Sequence, residues 1–172
     1  QSLPPVKWTG TGGVDAGRGG QLYDKWWAVN AAAQPTGNHA LYPADGAKSG
    51  ADTWRCKECH GWDYVGENGR YGSGSHYTGI PGLYPPVLTR WQAFVEIKTG
   101  HGLGGATMLS DADIWDLVAF YEAGTYDLNF VLDTADGTFS GDTVAGQTLF
   151  EDGLAGGGMA CRQASQRGSA SP

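Results

Sequence analysis

The segment at residues 56–60, C-K-E-C-H, constrains this chain most, because it places two thiols and an imidazole within five residues. The spacing C-x-x-C-H is the attachment signature of a c-type haem. Two thiols can add to the two vinyl groups of one porphyrin. The next residue, His60, then lies under the iron, where it can supply the proximal nitrogen. The motif therefore predicts one haem c, bound covalently through Cys56 and Cys59.

Two other kinds of site use paired cysteines. A structural zinc site needs a second pair of ligands, but the remaining cysteine, Cys161, is single and distant. A thioredoxin-like motif belongs to a βαβ unit, and no β-rich segment precedes Cys56. We therefore favour haem attachment.

The composition suits a domain that packs around a large apolar group. Of 172 residues, 29 are glycine and 40% are apolar, which favours few regular elements and much loop. The net charge of −7 argues against nucleic acid and anionic membranes as partners. No apolar run is as long as a transmembrane helix. The chain begins at Gln1 rather than methionine, so we expect that a leader has been removed.

Three helices are predicted from apolar spacing and capping residues. The first starts at Gly19, with Leu22, Trp26 and Val29 on one face. The second runs from the N-cap Thr89 to Thr99. The third follows a capping box at Ser110, and an apolar stripe continues it to Gly124. Residues 34–53 and 65–88 are predicted loops.

The distal iron ligand is predicted to be Met108, because it lies between a glycine loop and a capped helix. A methionine near a helix start is otherwise ordinary core filling. The competitors are His76 and His101, both in glycine-rich loops that can reach the iron, and His39 is a weaker one.

Other residues are candidates for supporting the haem. A backbone carbonyl in the segment 80–82, I-P-G, can accept a hydrogen bond from Nδ1 of His60. Hydrogen bonds to the propionates can come from an arginine and three aromatic residues, Trp62, Tyr64, Tyr71 and Arg90. Each has an alternative role as an ordinary turn or packing residue.

The C-terminal segment resembles the beginning of a second copy. Residues 145–152, A-G-Q-T-L-F-E-D, resemble residues 19–24, G-G-Q-L-Y-D. Cys161 then stands where a second haem motif would open, but Ala164 and Ser165 replace its cysteine and histidine. Cys161 can be a vestige, a free thiol or a partner in an intermolecular disulfide.

Residues 56–60 and the segment 108–121, M-L-S-D-A-D-I-W-D-L-V-A-F-Y, resemble a class I cytochrome c domain. Their surroundings resemble secreted bacterial cytochromes with tandem domains. The resemblance implies an all-α, class I cytochrome c fold with long glycine-rich loops and irregular N- and C-terminal extensions. It implies that the first and last helices cross near Gly20 and Tyr121, with Met108 over the distal haem face.

The predicted organisation is an arm at 1–18, a cytochrome domain at 19–125, and a linker with an altered second segment at 126–172. The predicted function is electron transfer by a haem that cycles between Fe(III) and Fe(II) with His60 and Met108 as ligands. The alternatives are a haem subunit of a redox enzyme, for example one acting on small sulfur compounds, and a subunit of an extracellular electron-conducting assembly.

The expected location and partners follow from the haem and the charge. Cytochrome c maturation implies the periplasm or the cell exterior. The expected partners are redox proteins with a basic docking patch. Oligomers are possible through Cys161 or the extensions.

Overall fold

The computed structural model describes residues 13–125 together with 138, 141–142, 144–145 and 147–148. The first twelve residues and most of 126–172, including Cys161, lie outside the described residues, and so do the predictions made for them. Residues 13–125 belong to one compact unit.

The described part of the chain is rich in helix and has no strand, which confirms the all-α prediction at this coarse level. The α-helices are α1 (Ala16–Val29), α2 (Cys56–His60), α3 (Arg90–Val95) and α4 (Asp111–Ala123). Shorter 3₁₀ turns occur at Gly50–Trp54, Arg70–Gly72 and Gly74–His76, and a π-helical turn follows α3 at Glu96–Gly100. No helix among the described residues is long and apolar enough to cross a membrane.

The capping residues account for most helix starts. Helix α1 begins three residues earlier than predicted, because Asp15 caps it by accepting a hydrogen bond from the Arg18 amide at 2.8 Å. The predicted capping box at Ser110 is present, and the predicted N-cap Thr89 also forms a capping box, with Gln92. The predicted helix from Thr89 to Thr99 is regular only to Val95 and then widens into the π-helical turn.

Helices α1 and α4 pack across each other to form the centre of the core. Leu22 and Trp26 of α1 and Ile114 and Val118 of α4 are all almost fully buried. The closest approach is at Gly19 rather than at the predicted Gly20, since a Cβ at Gly19 would lie 2.1 Å from the Asp116 carbonyl oxygen. The predicted position was one residue off because both glycines lie in the same turn of α1.

Candidate haem-binding site

A cavity of about 490 Å³ lies beside α2 and reaches into the core. This volume is within the range of small-molecule and cofactor sites. Most of its lining is apolar, from the core side chains of Leu83, Ile97, Leu103, Leu117 and Phe120. Cys56, Cys59 and His60 line it together, so one cavity holds all three predicted residues of the haem motif.

Helix α2 is short, and its position depends on contacts at both ends. At its start, Arg55 donates from Nε to the Asp24 carbonyl at 2.9 Å, and its guanidinium also pairs with the Asp24 carboxylate. At its end, the Tyr23 hydroxyl donates to the Gly61 carbonyl at 2.6 Å. Both partners belong to α1, so α1 sets where the two thiols and His60 enter the cavity.

The His60 ring is oriented from behind by a backbone carbonyl, as the sequence predicts. Nδ1 of His60 lies 2.7 Å from the carbonyl oxygen of Pro81. This contact places the proton on Nδ1 and leaves Nε2 with the free lone pair that a metal ligand needs. Among the described residues, none is hydrogen-bonded to Nε2 of His60.

The loop that carries Pro81 is held against the segment after α2. The carbonyl of Tyr64 accepts hydrogen bonds from the amides of Leu83 and Tyr84, at 2.7 and 2.9 Å. The two segments approach so closely that a Cβ at Gly82 would lie 2.2 Å from the Tyr64 carbonyl oxygen. Glycine at 82 therefore permits the approach that brings Pro81 to His60.

Burial is the main cause of the pKa shifts of Cys56, Cys59 and His60. It lowers the pKa of His60, although the Pro81 carbonyl favours the protonated ring. A neutral imidazole is the form that binds a metal. Burial also raises the pKa of Cys56 to about 12 and that of Cys59 to about 11. In both cases the cause is burial, which disfavours the charged thiolate.

A second imidazole, that of His101, also lines the cavity, and its ring centroid lies 6.1 Å from that of His60. His101 follows the π-helical turn directly, and its amide donates to the Glu96 carbonyl at 2.8 Å. Its Nδ1 lies 3.0 Å from the same carbonyl oxygen. Nε2 of His39 lies 3.1 Å from the carbonyl oxygen of His101. His101 is therefore held by contacts on its amide, ring and carbonyl.

Met108 is not among the residues that line this cavity. It is partly buried and packs against the core, and its carbonyl accepts a hydrogen bond from Nδ2 of Asn30 at 2.6 Å. His76 is also not in the lining. Its ring lies at a tilt against that of Tyr71, and its Nδ1 is 3.3 Å from the Glu58 carboxylate.

The suggested propionate partners do not line the cavity either. Trp62 is exposed, and its ring lies against Lys57. Tyr64 and Tyr71 are buried outside the cavity lining. Arg90 forms an ion pair with Glu122.

Polar side chains that do line the cavity include Thr53, Arg55 and Tyr121. Sequence patterns did not indicate that these three residues meet at one cavity, because each comes from a different segment of the chain.

No group of three or more His, Cys, Asp or Glu residues within the described part of the chain could hold a metal ion without further ligands. Comparison of the whole chain with protein-family models, with curated proteins and with solved structures gives no match in any of the three. The functional argument therefore depends on the residues of this chain alone.

Proposed function

We propose that this chain transfers electrons by means of one haem c, bound covalently through Cys56 and Cys59 with His60 as the proximal ligand. The observation that carries the proposal is the cavity, because Cys56, Cys59 and His60 all line one largely apolar space. A bound haem supplies one-electron exchange between Fe(III) and Fe(II).

The residues around the cavity have three separate roles. Cys56 and Cys59 tether the group to α2, so it cannot dissociate between oxidation states. The Pro81 carbonyl fixes the ring of His60 and increases its basicity through the hydrogen bond to Nδ1. The apolar side chains, such as Leu103 and Leu117, exclude water and so disfavour the extra positive charge of ferric iron.

The donor set favours haem over the other uses of paired cysteines. Among the described residues, no group of three or more His, Cys, Asp or Glu side chains completes a zinc site around Cys56 and Cys59. Both cysteines line a largely apolar cavity. Addition of each S–H across a vinyl group leaves a neutral thioether, which suits these apolar surroundings.

The mouth of the cavity offers a place for a redox partner to dock. Leu41, Val87 and Leu88 line the cavity and are also exposed, Val87 by 83%. An apolar patch at the opening, on a chain of net charge −7, fits a partner with an apolar contact area and a basic surround. We place this exchange in the periplasm or outside the cell, where c-type cytochromes mature.

The test is covalent attachment, measured by intact mass in cells that mature c-type cytochromes. The wild-type chain should gain the mass of one haem that persists after denaturation. Cys56→Ser with Cys59→Ser should abolish the gain, because no thioether can form. Cys161→Ser, the matched control for the third cysteine, should retain it. A wild-type chain that folds and carries no covalent haem contradicts the proposal.

A further inference from the structure

We infer that His101, and not Met108, is the second axial ligand, so that two imidazoles hold the iron from opposite sides. The inference rests on the proposed function, since it concerns the same bound haem. It departs from the ligand that the sequence predicts.

The separation of the two rings fits one metal ion between them. A metal–imidazole bond is about 2 Å long, and the ring centre lies about 1 Å beyond the bonded nitrogen, given ordinary ring bond lengths. Two such ligands on one metal therefore place their centroids about 6 Å apart. The centroids of His60 and His101 are 6.1 Å apart. Aromatic rings in ordinary contact also have centroids about 4.5–7 Å apart, so the distance permits a shared metal and the choice of His101 depends on the contacts described next.

The rings of His60 and His101 are also oriented by the same kind of contact. Each has Nδ1 against a backbone carbonyl, that of Pro81 for His60 and that of Glu96 for His101. Each is therefore left with Nε2 as the nitrogen for a metal, and nothing in the described part of the chain hydrogen-bonds to either Nε2. A carbonyl behind Nδ1 is the usual support of a ligating histidine.

The remaining histidines are occupied elsewhere. Nδ1 of His39 accepts a hydrogen bond from the Leu41 amide at 3.1 Å, so its proton is on Nε2, which donates to the His101 carbonyl. His39 thus has no lone pair to offer and instead supports the backbone of His101. His76 lies outside the cavity lining, against Tyr71 and Glu58.

Met108 is held away from the cavity by its surroundings. Its amide donates to the Gly105 carbonyl at 3.2 Å and its carbonyl accepts from Asn30. The next residue, Leu109, is fully buried and bonds by its amide to the Leu103 carbonyl at 3.0 Å. These hydrogen bonds fix the backbone on both sides of Met108, which does not line the cavity, whereas His101 lines it already.

The consequence is a lower reduction potential than a His–Met site would have. A methionine thioether favours Fe(II) and raises the potential, and an imidazole lacks this effect. The chain then suits the low-potential part of an electron-transfer sequence. With both axial positions filled by side chains, the iron also has no open position for a substrate, which favours a carrier over an enzyme.

The experiment uses the mature haem-containing protein, confirmed by intact mass, and records absorption, magnetic circular dichroism and reduction potential. The oxidised wild type should be low-spin and lack the long-wavelength charge-transfer band of methionine–iron ligation. His101→Met should gain that band and shift the potential upward. His101→Ala should lose the low-spin spectrum and bind carbon monoxide. Met108→Leu and His76→Ala, the controls, should keep the wild-type spectrum.

Two results overturn the inference while leaving covalent haem intact. One is a wild-type methionine band that disappears in Met108→Leu. The other is a high-spin wild type, which means that no side chain fills the distal position. Absence of haem in the mass spectrum instead overturns the proposed function itself. The wild-type spectrum decides the matter even if a His101 variant fails to mature.

Discussion

Gly19 is the residue at which the core tolerates least change. An alanine there would place its Cβ 2.1 Å from the carbonyl oxygen of Asp116, a backbone atom that can move only if α4 moves. The neighbouring Gly20 has more room, because its nearest contact is the ring of Phe120 at 3.1 Å. The close packing of α1 on α4 thus depends on one missing side chain.

We expect Gly19→Ala to lower the free energy of unfolding by at least about 2 kcal/mol, as overpacking of a close contact does. The better helix propensity of alanine, worth at most about 1 kcal/mol, does not offset this loss. Denaturant unfolding of the haem-containing protein measures the change.

Gly17→Ala is the matched control in the same helix. Its Cβ would meet only the Asp15 carboxylate oxygen that caps α1, at 3.3 Å, a contact that a shift of a few tenths of an ångström relieves without loss of the cap. We expect a change within about 1 kcal/mol. Equal effects at Gly17 and Gly19 would show that α1 does not approach α4 as described.

At the scale of elements, a small ion cluster ties the start of α1 to the first turns of α4. Arg18 donates to the Asp113 carboxylate and, at 2.6 Å, to that of Asp116. Asp116 also accepts from the Asp15 amide at 2.6 Å. Both carboxylates are mostly buried, and their side chains are 8% and 12% exposed. Burial alone would raise the pKa of Asp113, but hydrogen bonds from Arg18 and Ser110 outweigh it and leave the pKa lowered.

We expect Arg18→Gln to cost about 1–3 kcal/mol at pH 7, between the values for exposed and buried pairs. A lowered carboxyl pKa contributes stability above its unfolded value and loses it as the pH falls through the folded value. The difference between variant and wild type should therefore begin to shrink below about pH 4 and disappear only below the lowered pKa that Asp113 has in the folded wild type. Unfolding curves across this pH range test the sign.

Arg90→Gln provides the control, because it also removes one arginine from an ion pair with α4. The Arg90 side chain is 43% exposed, and its partner Glu122 is 24% exposed. We expect a loss below about 1 kcal/mol. If Arg90→Gln lowers the free energy of unfolding as much as Arg18→Gln does, the ion cluster between α1 and α4 stabilises the fold no more than an exposed ion pair.

At the scale of the whole molecule, net charge should govern the approach of charged redox reagents to the haem that we propose. The chain carries a formal charge of −7, and such a field attracts cationic and repels anionic reagents at low salt. Electron exchange with a cationic metal complex should slow about threefold to tenfold between 10 and 300 mM salt, as the Debye length shortens. Exchange with an anionic complex should accelerate.

Stopped-flow rates with two small complexes of opposite charge and similar potential make this comparison. The two salt dependences should have opposite slopes. If both reagents slow with added salt, the haem edge lies in a locally basic surface, and a basic partner patch is the wrong expectation.

Local sequence was enough wherever the determining contacts are close along the chain. The N-cap at Thr89, the capping box at Ser110 and the apolar stripe of α4 each involve residues within one or two helical turns. The role of the 80–82 carbonyl in supporting His60 was also foreseen, because a bound histidine needs an acceptor behind Nδ1.

Only the tertiary structure decided which residue faces His60 across the cavity. His101 and Met108 stand seven positions apart in one glycine-rich loop, where no periodicity indicates direction. The choice depends on contacts from distant segments, His39 against the His101 carbonyl and Asn30 against the Met108 carbonyl. Such long-range contacts leave no local pattern in the sequence, so the motif by itself determined the cofactor that we propose, and folding decided its surroundings.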